Sequence, residues 1–198
     1  MGNSSRKRIY GVGISTRLMN EFFMNLGAFK RAVKRGNVSK EFEKRIMLAV
    51  TQVNGCEMCS YHHTAQALKD GMSKQEIDAI LNGEFSDVPE DEIPALLFSQ
   101  HYADTIARPD EEALLSFVKE YGEHKAEDIM CYIRAIMVGN AQGNIMGALK
   151  SRFKGNPEPS STLFKELSVL FCDIFLIPVL LLKSLIFQPL KSLKRSDK

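Results

Sequence analysis

Helix start and stop signals, with no strand alternation between them, constrain this chain more than any other feature. Ser39 can cap an apolar run that ends at Asn54-Gly55, and Ser73 with Glu76 forms a capping box. Pro109 stands where a further helix would begin. Apolar residues between these signals recur at the spacing of amphipathic helices. The sequence therefore predicts an all-α fold.

Seven helices are predicted ahead of a C-terminal extension. They cover residues 16–34, 39–54, 56–69, 74–81, 92–107, 109–121 and 125–152. Residues 1–15 are predicted to be a loosely held N-terminal arm, residues 16–155 the helical domain, and residues 156–198 a linker and a hydrophobic or amphipathic C-terminal helix.

The last predicted helix of the domain carries glycines at every fourth position. Gly139, Gly143 and Gly147 fall on one ridge, and each costs a helix about 1 kcal/mol relative to alanine. This pattern predicts a groove where another helix approaches closely. The alternative is a helix broken near Gly139-Asn140.

Composition narrows the class of function. The chain has 198 residues, 44% hydrophobic and 25% charged, which is typical of a soluble globular protein. A net charge of +2 is too small to indicate nucleic-acid binding. Four cysteines without a cleavable signal pattern predict a reducing cytosol rather than a disulfide scaffold.

Two cysteines and a histidine share one face of the predicted helix 56–69. Cys56 and Cys59 are three residues apart, and His63 follows four residues after Cys59. A helix N-terminus or a nearby imidazole activates a thiol, so the spacing indicates redox chemistry. Two alternatives stay open: a zinc site completed by Cys131 or His101, and inert core cysteines. Cys131 and Cys172 themselves are interpreted as core thiols.

Residues 50–63 (VTQVNGCEMCSYHH) and 71–77 (GMSKQEI) resemble the core of the carboxymuconolactone decarboxylase and alkylhydroperoxidase D family. The similarity extends more weakly through residues 139–149, so it covers about 39–152 and leaves out both termini. The resemblance implies an alkylhydroperoxidase D-like helical bundle that forms a homo-oligomer.

The resemblance also implies roles for site residues. Cys59 would be the peroxidatic thiol, Cys56 the resolving thiol and His63 the relay histidine. The alkylhydroperoxidases carry a relay glutamate where this sequence has Lys44. Glu43 is adjacent but lies about 100° around a helix, so it replaces that glutamate only if the helix is rotated or shifted. Lys44 could instead stabilise a thiolate directly.

These residues predict a CxxC-dependent thiol oxidoreductase that reduces hydroperoxides through a Cys56-Cys59 disulfide cycle. It would use an external dithiol reductant, with no bound cofactor and no metal. Three alternatives are a thiol-disulfide exchange protein without efficient peroxidase activity, a carboxymuconolactone decarboxylase-type enzyme, and a non-catalytic helical oligomer or membrane-surface binding protein.

The C-terminal stretch 167–190 is almost wholly apolar, with interruptions at Asp173, Pro178 and Lys183. Its longest uncharged run is too short for a simple transmembrane helix. Polar residues form one narrow stripe opposite a wide apolar face; they are Glu166, Asp173, Ser184 and Lys191. Three interpretations stay open: packing on protein, lying in a membrane interface, and spanning. The chain would be cytoplasmic or membrane-associated, and its basic residues would favour anionic headgroups; they are Lys183, Lys191, Lys194, Arg195 and Lys198.

Overall fold

The computed structural model describes residues 7–196, and for residues 187–196 it describes the helical backbone alone. These residues form eight helices and no strand, which confirms the all-α prediction with its apolar C-terminal helix. The helices are α1 (Val12–Met24), α2 (Leu26–Arg35), α3 (Lys40–Asn54), α4 (Glu57–Lys69), α5 (Lys74–Leu81), α6 (Ile93–Asp104), α7 (Glu111–Phe153) and α8 (Leu163–Ser196).

Helix α3 is the central element of the bundle. It contacts α4, α5, α6 and α7, and its residues Ile46, Leu48 and Val50 are fully buried. The predicted cap is confirmed, because Ser39 Oγ accepts a hydrogen bond from the Phe42 N–H at 3.0 Å. Ser73 likewise caps α5, because its Oγ accepts a hydrogen bond from the Glu76 N–H, while the Glu76 carboxylate binds Arg45 instead of completing the capping box. The centre of the bundle is therefore the region where local sequence signals agree with tertiary packing.

The N-terminal segment differs from its prediction. Helix α1 begins at Val12, and Ile9 and Tyr10 are buried, so the expectation of a loosely held arm is wrong for residues 7–15. The Tyr10 hydroxyl donates to Asn54 Oδ1 at 3.0 Å, which ties this segment to the end of α3. The single helix predicted over 16–34 is two helices, because the chain leaves helical geometry at Asn25.

Helix α7 contains the two helices that were predicted over 109–121 and 125–152. They meet at Gly122, whose φ of 71° and ψ of 159° are not helical, so the predicted division into two helical segments agrees with the structure. The helix runs without a break through Gly139-Asn140, so the broken-helix alternative is wrong. Its N-cap is Asp110, whose Oδ1 accepts from the Ala113 N–H, so Pro109 precedes the helix.

Helix α8 packs against α1 and α7 with its polar side facing the protein. Glu166, Asp173 and Ser184 are buried, so the predicted polar stripe exists but faces inward. By length and composition, α8 from residue 163 to 186 could cross a membrane, despite its interrupting charges. The side chains of Lys191, Lys194, Arg195 and Lys198 lie outside the described residues.

Candidate redox site

The two cysteines of the predicted pair lie where α3 ends and α4 begins. Gly55 ends α3 with φ 63° and ψ 35°, and its N–H donates to the Thr51 carbonyl. Glycine adopts this left-handed conformation without a steric penalty, which explains the turn at this position. Cys56 is the N-cap of α4, and Cys59 lies in its first turn. The predicted helix start at Cys56 is therefore confirmed.

Cys56 and Cys59 form a disulfide, with their Cα atoms 5.2 Å apart. Both residues are nearly enclosed, with exposed fractions of 1% for Cys56 and 8% for Cys59. The Cys59 N–H donates to Cys56 Sγ at 3.3 Å. Because the first N–H groups of a helix have no partner within it and carry a partial positive charge, negative charge on Cys56 Sγ would be stabilised here.

A glycine of α7 makes room for this disulfide. A Cβ atom at Gly143 would lie 2.6 Å from Cys56 Sγ and 2.7 Å from Cys59 Sγ, closer than real atoms approach. By contrast, a Cβ at Gly139 would meet only Ile136, at an ordinary 3.8 Å, and one at Gly147 would meet nothing. The predicted groove is thus confined to Gly143, and it holds the disulfide.

Three buried asparagines surround the α3–α4 junction, and the sequence analysis missed all of them. Asn144 Nδ2 donates to the carbonyl of Asn54 at 2.8 Å and to that of Arg8 at 3.1 Å. Thr51 Oγ1 donates to Asn140 Oδ1 at 3.1 Å. All three asparagines are at most 1% exposed. Each adjoins a glycine in the sequence, and asparagine within an apolar helix was the signal that could have identified them.

His63 lies on α4, one helical turn after Cys59, and is half-buried. Burial, together with smaller effects of the charges of His62 and Lys44, lowers the pKa of its imidazole to about 4. Its Nδ1 is buried and makes no hydrogen bond within the described part of the chain. His63 is therefore a neutral imidazole at pH 7 beside the disulfide.

Lys44 is one of the two charged groups whose effect reaches His63, and His62 is the other. Lys44 is only 8% exposed, and its Nζ lies 3.0 Å from Glu43 Oε1. The Glu43 carboxylate thus forms an ion pair with the neighbouring Lys44. Cys59 and His63 thus lie one turn apart on α4 and the charge of Lys44 acts on His63, while the roles of these residues and of Glu43 stay predictions.

The other candidate thiols and ligands lie elsewhere. Cys131 is buried, and burial raises its pKa to about 11, so it is a core thiol as interpreted. Cys172 is only half-buried. His101 contacts Asp110, with Nε2 2.9 Å from Oδ2. Among the described residues no three His, Cys, Asp or Glu side chains are grouped as a metal site would require.

A family model matches part of the chain that contains this junction. The carboxymuconolactone decarboxylase family model matches residues 18–88. Over this segment the chain is similar to that family. The match includes Lys44, Cys56, Cys59 and His63, so the suspected resemblance is confirmed where the redox residues lie. The match begins before residue 39 and ends well before residue 152, so it differs from the predicted extent of the similarity, which was about 39–152.

Members of this family are enzymes, either decarboxylases or peroxidases, so an enzymatic role agrees with the match. Neither the curated proteins nor the solved structures contain a significant match to the chain. Gly143 and helix α8 lie outside the matched segment. The contact between Gly143 and the sulfur atoms therefore comes from the three-dimensional structure alone.

Proposed function

We propose that this protein is a CxxC-dependent thiol oxidoreductase that reduces hydroperoxides through a Cys56-Cys59 disulfide cycle. The observation that carries the proposal is the disulfide itself, placed at the start of α4 with His63 one turn further along the helix. A family whose members include peroxidases supports the same chemistry.

The proposed cycle has three balanced steps. The Cys59 thiolate attacks the terminal oxygen of a hydroperoxide, which breaks the O–O bond, releases an alcohol after protonation and leaves a sulfenic acid. The Cys56 thiolate then attacks the Cys59 sulfur, forming the disulfide and releasing water. Two thiol groups of an external dithiol return the pair to the reduced form and are themselves oxidised to a disulfide.

The positions of the two sulfur atoms support this division of roles. Cys59 is more exposed than Cys56 and has His63 on the same helical face, which suits the thiol that meets the peroxide. Cys56 Sγ accepts the N–H of Cys59, which suits a resolving thiol that attacks as thiolate.

In this cycle His63 would accept the proton of the Cys59 thiol, and Lys44 would stabilise the negative charge of the thiolate. A neutral imidazole can accept a hydrogen bond or a proton from the Cys59 thiol, and a thiolate beside it would raise the pKa of His63 from its low value. The ammonium of Lys44 would favour negative charge in the same region. Lys44 in the place of a relay glutamate is also the observation that favours the second candidate, thiol-disulfide exchange without efficient peroxide turnover.

Single serine variants test the proposal and separate the roles. Wild-type protein should oxidise dithiothreitol only when peroxide is supplied, and both Cys56→Ser and Cys59→Ser should abolish this turnover. Cys56→Ser should still form a sulfenic acid at Cys59, detected by a dimedone-type probe, whereas Cys59→Ser should form none. Full turnover by Cys59→Ser would refute the proposal.

Cys131→Ser is the matched control, because Cys131 is buried away from the disulfide and should leave turnover unchanged. A small aromatic disulfide offered in place of peroxide separates the two candidates. A wild-type protein that reacts with the disulfide but not with peroxide would be a thiol-disulfide exchange protein. Assembly into a homo-oligomer stays a prediction.

A further inference from the structure

Helix α8 is attached to the rest of the protein through its polar residues. Glu166 is fully buried, and both of its carboxylate oxygens accept from Arg152, at 2.8 and 2.9 Å. Burying the Glu166 carboxylate is favourable only because it has this partner. Asp173 is 5% exposed, its Oδ2 makes no hydrogen bond within the described part of the chain, and burial raises the pKa of its carboxyl, an effect that Gln142 partly offsets. The inward side of α8 is therefore specified by its polar groups.

Further contacts extend this attachment along the helix. Val169 packs in an apolar cluster with residues of α7 and the N-terminal segment. Ser184 is 2% exposed, and Lys183 Nζ lies 3.3 Å from Asn20 Oδ1 on α1. Residues 166–184 correspond to about 27 Å of helix at the standard rise. This length of α8 is thus held against α1 and α7 rather than projecting from the bundle.

The outward side of α8 is apolar. Six of its large side chains are more than 60% exposed; they are Phe164, Phe171, Ile174, Phe175, Leu182 and Leu185. Only 22% of the most apolar 18-residue stretch within residues 163–186 is buried, so α8 is not the core helix of a globular fold. A continuous apolar face of this length is typical of a surface that meets a membrane or a protein partner.

We propose that the outward face of α8 docks in the plane of an anionic lipid bilayer. An in-plane position keeps the Glu166–Arg152 pair and the buried Asp173 intact, while Phe171, Ile174 and Phe175 enter the acyl boundary. A spanning α8 would instead separate Glu166 from Arg152 and place two carboxylates against lipid. Such an arrangement is unfavourable, because a charge in the bilayer needs a partner or a water-filled cavity.

The charge of the residues that follow the apolar face indicates whether α8 would bind an anionic or a neutral bilayer. Residues 187–198 contain four basic residues and one acidic residue, and Lys183 is exposed at the end of the apolar face. Basic residues next to an interfacial helix are attracted to anionic headgroups. The chemistry of this end therefore favours an anionic leaflet over a neutral one.

Co-sedimentation with vesicles tests the proposal on the full chain. Wild-type protein should bind vesicles of phosphatidylcholine with one quarter phosphatidylglycerol at least tenfold more tightly than pure phosphatidylcholine vesicles. The double variant Ile174→Glu/Phe175→Glu should lose at least tenfold of that binding, because both positions are exposed and the change leaves the packed side of α8 intact. Leu115→Glu is the matched control: Leu115 is 61% exposed on α7, and its variant should bind as wild type.

Three results would overturn the proposal. If wild-type protein stays in the supernatant with both vesicle types, the outward face of α8 does not bind lipid. A dimer that the double variant dissociates, without vesicle binding by either protein, would make the face a contact between two copies of the chain. Bound protein that resists extraction at high pH and protects its C-terminal lysines from added protease would indicate that α8 spans.

Discussion

Replacing Gly143 by alanine should act directly on the disulfide. The new Cβ would lie 2.6 and 2.7 Å from the two sulfur atoms, so α7 or the junction must shift. Overpacking of this kind costs about 1–3 kcal/mol, against a gain of about 1 kcal/mol from the better helix propensity of alanine. We expect the oxidised Gly143→Ala protein to be less stable than wild type by up to about 2 kcal/mol, measured by urea unfolding.

The same variant should also be easier to reduce. Reduction frees Cys56 and Cys59 to rotate about their own χ1 angles, so the reduced form can relieve part of the contact with Ala at position 143. Each 1.4 kcal/mol of differential strain shifts the dithiol-disulfide equilibrium about tenfold. We therefore expect Gly143→Ala to require a more oxidising dithiothreitol redox buffer than wild type to form half of its disulfide.

Gly147→Ala is the matched control for this experiment. It makes the same substitution one turn later on α7, where a Cβ would meet nothing within 4 Å. This variant should gain up to about 1 kcal/mol in stability and leave the redox equilibrium unchanged. Equal stability and equal redox equilibria in the two variants would refute the inference that Gly143 makes room for the disulfide.

Three further predictions concern residues around the junction. Because burial lowers the pKa of His63 to about 4 from an ordinary 6.5, the unfolded protein binds more protons between these values. The part of the unfolding free energy that depends on His63 should thus be fully present above pH 6.5 and should be lost toward pH 4, a decrease on the order of 2 kcal/mol. The His63→Gln variant should not show this decrease. Asn144→Ala removes the side-chain donor to the Arg8 carbonyl and one of the two donors to the Asn54 carbonyl, which keeps the Arg8 N–H, and should cost roughly 1–3 kcal/mol in urea unfolding. Cys131, with its pKa raised to about 11, should react with iodoacetamide at pH 8 only after unfolding.

Each of these predictions has an outcome that contradicts it. If the unfolding free energy falls with pH at the same slope in wild type and in His63→Gln, His63 is not the group that causes the loss of stability in acid. Wild-type stability in Asn144→Ala would mean that its two hydrogen bonds do not hold the junction. Alkylation of Cys131 in the folded protein at the rate of an unfolded peptide would place that thiol outside the core.

Local signals predicted the part of the fold that holds the cysteines. A serine cap at Ser39, a left-handed glycine at Gly55 and a capping box at Ser73 all act within one helical turn, so they can be read from the sequence alone. The spacing of Cys56 and Cys59 predicted their common face for the same reason.

Contacts between distant segments could not be predicted in this way. The glycine ridge of α7 indicated a close approach, but only the folded structure identifies the partner as the disulfide behind Gly143. The burial of Asn54 depends on Tyr10 and Asn144, which lie far from it in sequence. Residues 7–15 appeared polar enough for a free arm, yet this segment packs because its hydrogen-bond partners lie on α3 and α7.

Helix α8 shows the same limit for an amphipathic pattern. Periodicity identified the narrow polar stripe, but it did not identify which side faces the protein. The ion pair with Arg152 on α7 turns Glu166 inward, and Asp173 is buried on the same side of α8, so the apolar side is left exposed.

The central claim is that Cys56 and Cys59 form a disulfide that opens and closes during turnover. The most direct measurement is the mass of fully reduced protein before and after one equivalent of hydroperoxide, followed by peptide mapping without reductant. We expect the loss of two hydrogen atoms, a single peptide in which Cys56 is joined to Cys59, and return to the starting mass when dithiothreitol is added. An unchanged mass, or oxygen atoms added to either cysteine without a disulfide between them, would contradict the account.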